Sequence, residues 1–127
     1  LTIMAELIYK GSVYGCVLSD EAVEQIGFDG ENLPERICDE DSEELWVRII
    51  RYCDGVPLKE PFELNCEGLP FWAVKTARPE SLRAYFWHDG NNMVISHFIK
   101  KTTQKLTRED HLKMRLIMDS YNRNGGF

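Results

Sequence analysis

The sequence predicts an α+β fold: a small antiparallel sheet of three to five strands packed against two or three helices, with a C-terminal helix. Three observations predict it. The short apolar segments "LPFWAVKTA", "SLRAYFW" and "NMVISHFI" follow one another with only "RPE" and "HDGN", both turn-like, between them. Stretches with apolar residues at helical spacing lie on either side of that trio. The chain's 127 residues, 43% apolar and 28% charged, have ordinary globular composition and suffice for a single domain over residues 1–127.

In chain order, residues 4–9 and 13–18 are strand-like, with Lys10-Gly11-Ser12 as the turn between them. Ser19-Asp20 starts a short helix that runs through Ile26. "GFDGENLPERICDED" is acidic and broken by Gly27, Gly30 and Pro34, and reads as an exposed connector. Asp41-Ser42-Glu43-Glu44 places carboxylates in the first turn of a second helix. Its stripe of Leu45, Trp46, Ile49, Ile50 and Cys53 faces a core, and Gly55 and Pro57 end it. After the three strands, Thr107 caps a helix with Asp110 three residues on. Met114, Ile117, Met118 and Tyr121 form that helix's buried face.

The four cysteines (Cys16, Cys38, Cys53, Cys66) are irregularly spaced, and His88, His97 and His111 complete no zinc pattern with them. Neither a metal, a cofactor nor a disulfide framework is predicted; the thiols fit a reducing cytoplasm. No apolar run approaches the roughly 20 residues of a membrane helix, and no secretory leader pattern is visible.

Charge is distributed unevenly within a total of −6. Residues 1–71 hold five cations and sixteen carboxylates; residues 72–127 hold ten cations and five carboxylates. A bipolar chain of this kind can turn its basic half toward a polyanion.

Strand alternation sorts the basic half further. Even positions (Trp72, Val74, Thr76, Leu82, Ala84, Phe86, Val94, Ser96, Phe98) are mostly apolar and are expected against the helices. Odd positions bring Lys75, Arg83, Tyr85, Trp87 and His97, and then Lys101, onto the other face. A turn at 77–81 sets Lys75 opposite Arg83. A three-residue turn at 89–91 sets Arg83 opposite His97, and a two-residue turn breaks that match. Like charges facing each other weaken a sheet, so unless a carboxylate lies nearby the pattern suggests an anion between them, although solubility alone also explains exposed cations.

"GLPFWAVKTARPESLRAYFWHDGNNMVISHFIKKTTQKLTRED", followed by an amphipathic helix, resembles the RelE superfamily of bacterial toxins, in particular its HigB-like, phage-derived branch. "SEELWVRIIRYCDGVPLKEPFELNCEG" resembles the family's second helix and linker. The likeness covers roughly residues 42–122, and residues 1–41 match poorly. It implies a ribosome-associated endoribonuclease that cuts messenger RNA, needs no metal, and is masked by a cognate helix-turn-helix antitoxin. Carried over by motif, Lys75, Arg83 and Lys101 are the catalytic cations, with His97 as an alternative general base. Arg78, Lys100 and Lys105 would meet the phosphate backbone, and Tyr85 or Trp87 would stack an unpaired base. Where many members carry a tyrosine beyond the basic pair, this chain has Thr107 or His111. Two other readings keep the fold: a ParE-like gyrase inhibitor that acts by protein contact, or a non-catalytic phage-derived interaction module whose contact surface is the acidic segment 27–41 rather than the cations.

Overall fold

A computed structural model of the chain describes residues 3–28, 40–76, 81–101 and 107–127. Its elements are β1 (Glu6–Lys10), β2 (Gly15–Leu18), α1 (Asp20–Ile26), α2 (Glu40–Cys53), β3 (Leu64–Cys66), β4 (Trp72–Lys75), β5 (Ser81–Asp89), β6 (Asn92–Lys101) and α3 (Arg108–Arg123). The class is α+β, as expected, but the sheet has six strands in the order β1-β2-β6-β5-β4-β3. It is also mixed: β2 runs parallel to β6, and every other pair is antiparallel.

Two features account for the extra strands. The N-terminal hairpin does not stand apart; its second strand docks along β6, pairing Gly15 with Asn92 through Leu18 with Ile95. β3 has only three residues, too few to show a period, and exists because Leu64–Cys66 pairs with β4.

Local chemistry sets the helix ends. Ser19 Oγ accepts from Ala22 N–H at 3.1 Å, and Gly27 ends α1 in the left-handed region at φ 67°. Thr107 and Asp110 form a reciprocal capping box at the start of α3. At Gly11 the β1–β2 turn packs on the end of α2. An added Cβ there would lie 2.4 Å from the Cys53 carbonyl oxygen, which accepts from Val13 and Tyr14 N–H, both at 2.9 Å. Only glycine permits that approach.

The sheet is covered on both faces. Against α1 and α2 lie Cys16, Leu18, Val74, Ala84, Phe86, Met93 and Ile95, packed on Ala22, Ile26, Leu45 and Ile49. Against α3 lie Val17, Ala73, Tyr85, Trp87 and Val94, packed on Phe71, Met114 and Tyr121. The odd-numbered face is therefore no open surface, because α3 folds back across it.

Strict alternation also fails in β6. The β5–β6 hairpin closes through a two-residue turn, with Asp89 paired to Asn92, and the register then shifts between Tyr85 and Phe86. Phe86 pairs with Ile95 and Tyr85 with His97, so Ser96 is a bulge residue. Val94, expected with the even set, thus lies under α3, while Phe98 beyond the bulge packs toward α1 and α2. Among the described residues, no helix is long and apolar enough to cross a membrane.

Candidate functional site

The ends of β4 and β6, the start of β5 and the start of α3 meet at one end of the sheet. There Lys75 pairs directly opposite Arg83, the register expected from the sequence. Thr76 N–H donates to Leu82 O at 3.0 Å, and Leu82 N–H donates to Thr76 Oγ1 at 3.0 Å, which clamps the two strands. On the α2 side, Arg48 donates to the Lys75 carbonyl and is itself held by Glu44 at 2.9 Å and Glu63 at 3.3 Å. The backbone beneath Lys75 is consequently well anchored.

The α3 side of this end is polar and buried. Arg83 is 1% exposed, Lys75 6% and Glu67 8%. Glu67 Oε1 lies 4.0 Å from Arg83 Nη1 and accepts from Asn65 Nδ2 at 3.2 Å. The Tyr85 and His97 rings lie 5.2 Å apart, tilted by 45°. His97 Nδ1 is 2.9 Å from Ser96 Oγ, and the Ser96 carbonyl accepts from Ser19 Oγ at 2.6 Å. Asp110, also buried, accepts from Thr107 Oγ1 at 2.9 Å.

Electrostatics follow from this packing. Burial pushes the Lys75 amine below its usual pKa, the Arg83 charge adds to the effect, and the Glu67 carboxylate opposes it. Burial raises the Tyr85 phenol to about 12; Arg83 works against that rise, and Asp110 and Glu67 add to it. The protein interior thus favours a neutral Lys75 more than water does.

Among the sequence-predicted residues, Lys75, Arg83, Tyr85 and His97 come together on one face. Register with His97 differs from the three-residue-turn expectation: Arg83 faces Ile99, and His97 faces Tyr85. The Ser96 bulge nevertheless keeps His97 on the Arg83 side. Lys101 pairs through its backbone with Ser81, next along the strand from Arg83. Lys100 pairs opposite Leu82, which packs on the α1–α2 side, so this exposed lysine faces away from Arg83. Arg78 and Lys105 lie outside the described residues.

The stacking role expected of Tyr85 or Trp87 needs a bare sheet face, and neither residue has one. Tyr85 is fully buried beside His97, and Trp87 is wedged edge-on between Phe71 at 6.5 Å and Tyr121 at 5.4 Å. Both are core residues of the α3 side.

Glu67 was not legible in the sequence. It precedes β4 by several residues, and only the β3–β4 pairing carries it under Arg83. Asp110 carried a signal as a helix cap but none as a neighbour of Tyr85. A cavity of about 200 Å³ lined by Ile8, Gln25, Ile26, Leu45, Trp46 and Phe98 lies on the other face, and among the described residues no charged side chain lines it. Among the described residues, no group of three or more His, Cys, Asp or Glu side chains is arranged to hold a metal ion. No family model, no curated protein and no solved structure matches the chain.

Proposed function

We propose that the chain is a RelE-type toxin that cleaves RNA through its own ribose 2′-oxygen, with Lys75 and Arg83 at the reacting phosphate. The observation that carries this reading is the Lys75–Arg83 pair: two cations in register on one face, at the sheet end where the basic strand β6 finishes. Such a pair costs stability unless an anion lies against it, and Glu67, 4.0 Å from Arg83, already places one carboxylate beside two cations. A phosphodiester is an anion of the kind that can add to or replace that carboxylate at the guanidinium.

In this reading the Arg83 guanidinium donates to the phosphoryl oxygens, where negative charge grows as the 2′-oxygen attacks. Lys75, whose amine burial and Arg83 make easier to deprotonate, accepts the 2′-hydroxyl proton. The bond from the 2′-oxygen to phosphorus forms and the bond to the 5′-oxygen breaks. A proton from His97 or water completes the leaving hydroxyl. Lys101, at the end of β6, is the third cation. Messenger RNA on the ribosome is the substrate, and a helix-turn-helix antitoxin is the partner.

The near-complete burial of Arg83 favours a second reading, a non-catalytic interaction module in which the same cluster is interior architecture. Brief induction of the wild type and of Arg83→Ala in bacteria, with sequencing of RNA ends, separates the two. The ribonuclease reading expects growth arrest with new cut sites, both lost in Arg83→Ala. Unbroken RNA after wild-type induction overturns it. Growth arrest with intact RNA and inhibited supercoiling would instead indicate a gyrase inhibitor.

A further inference from the structure

Resting on the reading of Lys75 and Arg83 as a phosphate site, a further inference concerns a residue to which that reading gives no role. Glu67 opens the loop between β3 and β4, and short hydrogen bonds hold it in place. Its N–H donates to Phe71 O at 2.9 Å, while Phe71 N–H donates to Gly68 O at 3.0 Å. Asn65 Nδ2 orients the carboxylate through Oε1 at 3.2 Å. The same oxygen approaches Arg83 Nη1 to 4.0 Å, with both side chains almost wholly buried.

Among the described residues, the charged and titratable groups of this interior come from several elements. Lys75 comes from β4, Arg83 and Tyr85 from β5, His97 from β6 and Asp110 from α3. Asp110 accepts from Thr107 at the helix cap, and Glu67 reaches Arg83. To a guanidinium, a carboxylate oxygen and a phosphodiester oxygen are equivalent acceptors.

We propose that Glu67 is the resident anion of the site: it orients the Arg83 guanidinium before substrate arrives and gives up its place to a phosphate oxygen when a phosphodiester binds. It is a positioning residue, acting through Arg83 and Lys75. The buried arrangement then has a functional logic. Two cations held close together need a counter-charge in the empty protein, and a fixed carboxylate supplies one without closing the site to a stronger anion.

The isostere Glu67→Gln removes the competing charge and keeps the shape. It is expected to bind inorganic phosphate about fivefold tighter or more by calorimetry, as expected when a buried competing charge is removed. It is also expected to move the NMR titration of the Lys75 side chain to lower pH, because Glu67 favours the charged amine. Glu67→Asp, which retains the charge, returns both quantities toward wild type. Unchanged or weaker phosphate binding in Glu67→Gln overturns the proposal, as does an unmoved Lys75 titration. Should Glu67→Gln not fold, the wild-type Glu67 carboxyl carbon is followed during phosphate addition. A shift supports the exchange, and a stationary signal overturns it. Cleavage keeps the two ideas distinct: a wild type that cuts no RNA while Glu67→Gln tightens phosphate binding overturns the ribonuclease reading and leaves Glu67's role standing.

Discussion

The two faces of the sheet are built differently. On the α1–α2 side the buried residues are aliphatic and aromatic almost throughout, from Cys16 and Leu18 to Phe86 and Ile95. On the α3 side a similar apolar patch around Trp87, Met114 and Tyr121 gives way, toward one end of the sheet, to Lys75, Arg83, Glu67, His97 and Asp110. Apolar burial stabilises without direction, whereas buried charges stabilise only in matched sets and are costly to disturb. The first face holds the molecule together, and the second spends part of its packing on a charged interior.

That division can be broken most forcefully from the apolar side. Phe86→Ala empties a fully buried ring site on the α1–α2 face and is expected to lower the unfolding free energy in urea by about 3–5 kcal/mol. A loss below about 1 kcal/mol would mean that face does not dominate stability. On the other face the proposed ribonuclease activity is what the test reads. Arg83→Ala should reduce RNA cleavage by roughly 10²–10³-fold, the effect of removing one preorganised donor to a developing oxyanion. Cleavage that survives this change removes Arg83 from the chemistry.

Ser19→Ala tests the link between the faces, because this hydroxyl both caps α1 and donates to the carbonyl of the bulge residue Ser96. A loss of about 1–2 kcal/mol is expected, with a shift in the His97 ring resonances. Stability loss without that shift would confine Ser19 to its helix.

The smallest effect lies at the far end of the α3 side, where Tyr121 donates to Asp89 at 2.9 Å. Tyr121→Phe should cost about 1 kcal/mol. The Tyr121 pKa is raised above 10.0 by burial and then by the Asp89 bond. Its contribution is therefore complete below pH 10 and falls as pH rises, since the unfolded phenol loses its proton first. Unfolding followed at pH 8 and pH 10.5 should show a smaller alkaline loss in Tyr121→Phe than in wild type. Equal losses would remove Tyr121 from the alkaline response.

Much of the local structure was legible in the sequence. Ser19, Thr107 and Gly27 mark helix ends through hydrogen bonds and backbone freedom that involve only their near neighbours. The stripes Leu45–Ile49–Cys53 and Met114–Tyr121 repeat at the helical period. The Lys75–Arg83 match followed from one short turn, because register across a hairpin is a local property.

Beyond the reach of pattern lay everything that depends on distant segments meeting. The three-residue β3 and the parallel docking of β2 on β6 exist through partners far along the chain. The Ser96 bulge changes which face each β6 residue serves, and nothing in the local sequence announces it. Above all, alternation separates two faces but does not say what covers them. That α3 lies over the odd-numbered side, making Tyr85 and Trp87 core residues and bringing Asp110 near Tyr85, was decided by tertiary packing, as was the β3–β4 pairing that carries Glu67 to Arg83. The sequence by itself determined where helices and hairpins begin and which cations share a strand face, because those depend on covalent spacing. Only the folded chain decided which charges are buried together, because burial is a property of the whole assembly of elements.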